Sequence, residues 1–352
     1  MKHYLLFANQ MYCYPILRPL QEAIIKRGDK VAWFIHNIPD MLTEADGPRL
    51  ETIEAVQEYN PIAIYVPTNW IPDFFPGVKV HVFHGFDVGK RANTRQSASR
   101  IRGMFDLYCT QGPYTTEQFE AKAKKLGYFK VIETGWTMMD GLFKSKVDLR
   151  EKLAIDKPII LYGSTFSPTF SSARQLADTI ERLSKTGRWH WLINLHPKMD
   201  QDVVERYKNM SGENLTFFDN KQDTFPLLKA ADAMLCDTSS IFLQYLLLDK
   251  PVVTFKTAIP GPHLIDIDNT SEVEKSLKYA LSRPEQLMKA IRAYGDSIHP
   301  YRDGNSSERV LQATDDFIAH EADKLKPKPL NIWRKLRIRK QLKYYRLRGV
   351  KF

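Results

Sequence analysis

At 352 residues, with 43% hydrophobic and 26% charged side chains, the chain has enough material for two ordinary soluble domains, each with its own core. The formal charge of +10 is confined to one end: residues 327–352 carry ten Lys or Arg and no acid, and elsewhere 41 basic side chains balance 41 acidic ones. A neutral body excludes a broad nucleic-acid-binding face, and no apolar run is long enough to cross a bilayer. Three widely separated cysteines, Cys13, Cys109 and Cys236, exclude a disulfide framework and point to a reducing cytoplasm. The opening "MKHYLLFANQ" has too short an apolar run for a signal peptide.

Strand-like runs alternate with helical patterns from the first residues. Runs 3–8, 30–36, 62–67, 78–84, 105–110 and 129–135 read as strands, with helices over 15–27, 46–59 and 113–126. The last helix opens on Pro113 and closes before Gly127, a good start-and-stop signature. A charged stretch around 144–157 precedes a second series, with strands at 158–164, 189–196, 215–219, 233–237 and 251–255. Its helices fit at 172–186, 200–210, 223–230 and 239–249. Such alternation implies an α/β chain of two Rossmann-like domains, each a parallel sheet covered on both faces, with a cleft between them. The expected division is 1–140, 141–300, a helix 301–326 packing on the body, and a tail 327–352.

Ligands of open parallel sheets bind beyond the carboxyl ends of the strands, where several polar groups of this chain fall. His84-Gly85 ends the fourth run; glycine allows close backbone approach, and a neutral imidazole takes a proton from an attacking hydroxyl. His81 lies three residues earlier, on the opposite strand face, so the two do not form a metal pair. Ser164 and Thr165 close the first strand of the second series. His196-Pro197 ends "WHWLINL": proline stops the ladder, and a protonated imidazole there donates to phosphate, or the ring is simply structural. His190, inside the same strand, reads as packing or surface. Asp237-Thr238-Ser239-Ser240 stands at a strand-to-helix junction, where hydroxyls cap the helix or its amide end attracts an anion. No HExxH, CxxC or P-loop is present, so neither a protein-held metal nor a cofactor is expected.

Taken together, His84-Gly85, His196-Pro197, Asp237-Thr238-Ser239-Ser240 running into "LLLDKP" at 246–251, and Asp303-Gly304 with Ser307 and Arg309 resemble the CDP-glycerol glycerophosphotransferase family of teichoic-acid-type polymer synthesis. "ETGWTMMDGLF" at 133–143 is similar to that family's interdomain crossing. The resemblance covers roughly 75–315 and implies a GT-B fold with the nucleotide donor held mainly by the second domain. It implies that Ser239, Ser240 and the following helix start hold the donor pyrophosphate, that His196 stabilises the phosphate as CMP leaves, and that His84 deprotonates the acceptor hydroxyl. Ser164, Thr165, Pro197, Asp237, Thr238 and Gln244 complete the implied donor set. Three positions depart from the pattern: Thr238 replaces a tyrosine, Gln244 replaces an acid, and "YGSTFS" at 162–167 replaces a Pro-Thr-Trp-Arg-like sequence. An amide donates where a carboxylate only accepts, so Gln244 bears on which polyol the donor carries.

The implied partners are CDP-glycerol or a related nucleotide donor, and a lipid-linked or polymer acceptor. A GT-B glycosyltransferase using another nucleotide sugar, an epimerase-like enzyme of that fold, and a binding module that has lost its chemistry are the alternatives. The tail interleaves Leu330, Trp333, Leu336, Leu342 and Tyr345 with cations and reads as an amphipathic segment on an anionic membrane surface, or as a solvated disordered tail. The first reading makes the protein cytoplasmic and peripheral on the inner face of the cell membrane, with no nucleic acid as partner.

Overall fold

The computed structural model describes residues 1–86, 100–219 and 224–346. Among them, twelve strands form two six-stranded parallel sheets, one in each of two units. The first unit comprises Met1–Phe143 and Ile298–Phe352. Its strands are β1 (His3–Ala8), β2 (Lys30–Ile35), β3 (Ala63–Val66), β4 (Val78–His81), β5 (Leu107–Thr110) and β6 (Lys130–Glu133), in the order β2-β1-β3-β4-β5-β6. The second unit, Lys144–Ser297, holds β7 (Ile159–Ser164), β8 (His190–Leu195), β9 (Leu215–Phe217), β10 (Ala233–Cys236), β11 (Val252–Phe255) and β12 (Ile265–Ile267), in the order β12-β11-β10-β7-β8-β9.

The near-continuous apolar runs of the central strands follow from burial on both faces. Leu5, Phe7, Ile64, Val66 and Tyr108 anchor one core, and Ile160, Tyr162, Trp191, Ile193 and Leu235 anchor the other. In each sheet the strand order reverses once, between β1 and β3 in the first and between β7 and β10 in the second. Helices leaving the strands on either side of such a point diverge and open a crevice at the carboxyl edge.

Three segments differ from the expectations. The helix expected over 46–59 is only Ile53–Tyr59, capped by the Thr52 side chain. Gly47 has φ +65° and Pro48 follows, so the chain cannot enter a helix there, and Arg49 bridges to Trp33 instead. Strand β12 and the helices Val273–Leu281 and Glu285–Ile298 were not anticipated, because β12 is only three residues long. The C-terminal stretch, expected as a packed helix and a separate tail, instead belongs to the first unit as far as residue 346; residues 347–352 lie outside the described residues.

The return to the first unit is anchored on the segment read as an interdomain crossing. Buried Asp140 accepts the backbone N–H groups of Ser306 and Ser307 at 2.8 and 2.7 Å, meeting two orphan donors at the start of the helix Ser306–His320. Gly135 has φ +83°, and a Cβ on it would fall 2.4 Å from Ser306 Oγ, so only glycine lets the two segments touch. The Trp136 N–H donates to His299 Nε2 at 3.0 Å. Further on, Ile338 and Tyr344 enter the core of the first unit. No helix among the described residues is long and apolar enough to cross a membrane.

Replacing Asp140 with Ala leaves two buried donors unsatisfied, and we expect a loss of about 2–4 kcal/mol in stability. Urea unfolding of wild type and Asp140→Ala measures it, and an unchanged midpoint would show that the return segment does not depend on this carboxylate.

Candidate functional site

The switch point of the second sheet lies between β7 and β10, and the residues that follow these two strands are bonded to each other. Asp237, directly after β10, is fully buried. Its Oδ2 accepts from Ser164 Oγ at 2.5 Å, the Ser172 N–H at 2.9 Å and Ser172 Oγ at 3.0 Å, and its Oδ1 accepts the Thr165 N–H at 2.9 Å. Burial raises the Asp237 carboxyl above its ordinary value, against four donors that pull it down. The Tyr162 and Ser171 hydroxyls extend the network to Ser172 and Ser164.

Asp237 and Ser164 therefore spend their polar atoms on each other and on the loop 164–172, shaping the strand ends from beneath. Thr238 is likewise buried, and its Oγ1 accepts the Ala258 N–H at 3.0 Å. Ser239 is half-buried and Ser240 exposed. The capping expectation does not hold in detail. Ser240 occupies the N-cap position with αR geometry and makes no side-chain cap bond, and the Ser239 N–H is taken by the Asp237 carbonyl. The helix that follows, Ile241–Leu246, has six residues, too few for much dipole. On it, the Gln244 Oε1 is buried with no hydrogen-bond partner among the described residues.

His196 follows β8, with its backbone N–H on the Ser164 carbonyl at 3.2 Å and exposed Pro197 ending the ladder. The Lys198 N–H donates to His196 Nδ1 at 3.1 Å. That nitrogen must carry a lone pair, so the neutral ring bears its proton on Nε2 and presents an N–H. Burial, then the charge of Lys198, lowers the imidazole below its ordinary 6.5. The ring is thus uncharged at neutral pH, and the protonated form expected from the sequence is not needed for donation. Phe166 packs on it at 4.4 Å, and the Lys198 ammonium lies 5.6 Å from the Phe166 ring centre. Thr165 is half-buried beside them. His190 is a packing residue, bonded through Nε2 to Thr216 Oγ1 at 2.8 Å.

In the first unit the chain leaves β4 through Phe83, a non-glycine residue at φ +57°. Its buried ring packs against Phe119, and its carbonyl accepts from Trp136 Nε1 at 3.3 Å. Strain of this kind costs about 1–3 kcal/mol and persists only where packing imposes it. The next residue is His84, exposed to solvent and stacked on Tyr12 at 5.3 Å. His84 Nδ1 lies 3.1 Å from the Pro67 carbonyl. A carbonyl only accepts, so Nδ1 carries the proton and Nε2 presents a lone pair. Although the ring is open to solvent on one side, desolvation by the groups packed on its other side lowers this imidazole too, and the charge of Arg102 adds to the effect. Gly85 has an ordinary φ, and no neighbour among the described residues lies within 4 Å of a Cβ built on it. His81 is fully buried among Phe83, Phe105 and Tyr108, with both ring nitrogens unpartnered.

Three polar residues went unnoticed in the sequence: Asn9, Thr68 and Gln111. All are buried, and their side-chain polar atoms have no hydrogen-bond partner among the described residues. In the β1–β3 register Leu6 faces Tyr65, and Asn9 and Thr68 each stand three residues beyond that pair, at the switch point. In the β4–β5 register His81 faces Tyr108, and His84 and Gln111 each stand three residues beyond. Their position just past strand ends was the available signal; the lack of partners was not.

The family model for CDP-glycerol:poly(glycerophosphate) glycerophosphotransferases matches residues 80–314. The teichoic acid glycerol-phosphate primase of Bacillus subtilis (strain 168) is 22% identical over 257 residues, covering 66% of this chain and 64% of that protein. The teichoic acid ribitol-phosphate primase of Bacillus spizizenii is 23% identical, covering 60% and 58%. The chain thus spans less than two thirds of the length of these relatives. A structure of the wall teichoic acid polymerase TagF superposes with a TM-score of 0.63 at 15% identity, covering 90% of each chain. A candidate UDP-N-acetylglucosamine 2-epimerase from Listeria monocytogenes reaches 0.67 at 15% identity, over 94% of this chain and all of that one. These likenesses establish the GT-B fold class and nothing of the chemistry.

In Asp237→Asn, an NH₂ replaces one acceptor oxygen amid four donors. We expect a loss of about 2–4 kcal/mol and a loosened 164–172 loop. Thermal unfolding and hydrogen exchange of that loop read both effects; wild-type behaviour in each would refute the clamp.

Proposed function

Because the chain belongs to the CDP-glycerol:poly(glycerophosphate) glycerophosphotransferase family, we propose that it moves glycerol phosphate, or a related polyol phosphate, from a CDP-activated donor to a hydroxyl of a lipid-linked or polymer acceptor, releasing CMP. The observation that carries this reading is a pair of strand-end histidines held in opposite tautomers, His84 by the Pro67 carbonyl and His196 by the Lys198 N–H. One offers a lone pair and the other a proton.

His84 Nε2 takes the proton of the acceptor hydroxyl as its oxygen bonds to the outer phosphorus of the donor. The bond from that phosphorus to the bridging oxygen breaks, and its electron pair leaves with CMP. His196 gives its Nε2–H as a hydrogen bond to a phosphate oxygen where charge gathers, with the Lys198 cation nearby. Phosphoryl chemistry of this kind calls for positioning and charge stabilisation rather than a covalent intermediate. Ser239, Ser240, Thr165 and Pro197 form the donor rim, braced from behind by Asp237, Ser164 and Thr238. The unpartnered Gln244 Oε1 accepts from a hydroxyl of the donor's polyol. Asn9, Thr68 and Gln111 serve hydroxyls of the acceptor.

The rival reading, a GT-B enzyme acting on a different nucleotide sugar, has the fold likeness to the epimerase on its side. The released nucleotide separates the two. We expect CMP from CDP-glycerol or CDP-ribitol with a lipid-linked acceptor, and no turnover of UDP-sugars; UDP release would overturn the proposal. His84→Asn and His196→Asn are each expected to lower CMP release by about 10²–10⁴-fold. Full activity in either variant would remove that residue's role, and full activity in both would remove the mechanism. Since His84 acts as a base, activity is full while the ring is neutral and is lost as pH falls through its pKa. Burial lowers that pKa, so the acid limb of kcat/KM should centre below 6.5. A limb centred above that value would rule out His84 as the base.

A further inference from the structure

The cations of the C-terminal stretch fall into sets with different surroundings. One set pairs with acids of the first unit: Lys328 with Asp106 at 2.6 Å, Lys335 and Arg339 with Asp73 at 3.7 Å each, and Arg346 with Glu54 at 3.3 Å. Together with the packing of Ile338 and Tyr344, these contacts hold the helix Ile332–Gln341 against the body. Asn331 Nδ2 donates to the Arg102 and Gly103 carbonyls at 3.0 and 3.1 Å. A Cβ on Gly103 would lie 2.5 Å from Pro329, so the strap leading into the helix sits directly on that glycine. The segment is therefore not a loose tail, and deleting it would uncover core positions.

A second set is left over. Arg334 and Arg337 line a cavity of about 780 Å³ together with Arg102, Asn69 and Trp70 of the body, and among the described residues no acid lines it. Arg102 is aimed by Asn69 Oδ1 at 2.9 Å. Burial, then the charges of Arg334 and Arg100, holds the Arg102 guanidinium below its ordinary value; burial, then Arg100 and Arg337, does the same to Arg334. Like charges crowded without a carboxylate are relieved by an anion that brings several oxygen acceptors, and guanidinium forks match phosphate geometry. The rim of the cavity is apolar: Trp333 is 86% exposed, Leu330 62% and Ile332 57%, and Leu336, 52% exposed, stands on the same helix. Exposed aromatic and aliphatic groups beside a cationic pocket suit the boundary between headgroups and acyl chains.

We propose that this cavity binds the phosphate of an anionic phospholipid headgroup, with Arg102, Arg334 and Arg337 as its ligands and Trp333, Ile332 and Leu336 set into the acyl boundary. The segment 67–70 joins this site to the reactive one, since Pro67 fixes the His84 ring and Asn69 fixes Arg102. Lipid docking thereby holds the base at the membrane surface, where a lipid-linked hydroxyl is presented.

Vesicle binding is read without donor or acceptor, so its outcome is independent of the transfer reaction. The full chain should sediment with phosphatidylcholine vesicles containing phosphatidylglycerol and not with phosphatidylcholine alone. Arg334→Glu with Arg337→Glu should weaken binding at least about tenfold. Lys340→Glu with Lys343→Glu, an equal charge change outside the cavity, should cost much less. Trp333→Ser and the exposed single change Arg337→Ala should each weaken binding several-fold with unchanged near-ultraviolet circular dichroism, which keeps the test open if the double reversal fails to fold. Equal losses from the two charge reversals would mean diffuse attraction and overturn the site. So would equal binding to both vesicles, or saturable binding of inorganic phosphate without binding to vesicles.

Discussion

A buried carboxylate without enough donors would be untenable, and Asp237, at the end of β10, has four, all from the end of β7 and the loop 164–172 across the strand-order reversal in the second sheet. The crevice at such a point exists because neighbouring helices diverge there, which also removes the packing that would otherwise fix the loops. Asp237 supplies the missing constraint by tying the end of β7 and the loop 164–172 to the end of β10. His196 depends on it indirectly, since its backbone rests on the Ser164 carbonyl. The exposed part of Asp-Thr-Ser-Ser is left free because the buried part is fully committed.

Among the described residues, neither histidine has a carboxylate partner that fixes its tautomer. A carbonyl that cannot donate fixes one ring, and a backbone N–H that cannot accept fixes the other, so each proton position follows from main-chain geometry alone. Crowding of each ring on its protein-facing side, with a nearby cation, lowers both imidazoles below their ordinary value. For the proposed transfer, a neutral base and a neutral donor would avoid over-binding a charged diphosphate. The strained Phe83 turns the chain out of the sheet immediately before His84, and the packed rings around Phe83 sustain that strain.

The first unit is completed by residues that arrive last in the chain. Asp140 and Gly135 receive the helix Ser306–His320, and Ile338 and Tyr344 fill the same core as β1 and β3. Once the acids Asp73, Asp106 and Glu54 have taken their partners, Arg334 and Arg337 remain beside Arg102. Anchoring and display are thus done by different faces of one short helix.

Apolar runs alternating with helical periods determined the two parallel sheets, because a strand buried on both faces can be read from its own residues. The same runs located His84, His196, Ser164 and Asp237 at strand ends, and a local count exposed the imbalance of charge in 327–352. The three-residue β12 escaped because its local pattern is weak, and the helix expected over 46–59 begins only at Ile53, past Gly47 and Pro48. Only the tertiary structure decided which polar atoms are spent and which are open. Asp237 meets partners 65 to 73 residues away, and the Arg102 carbonyl accepts from Asn331, more than 200 residues on. Such pairings are set by how elements pack, and no window along the chain contains both members.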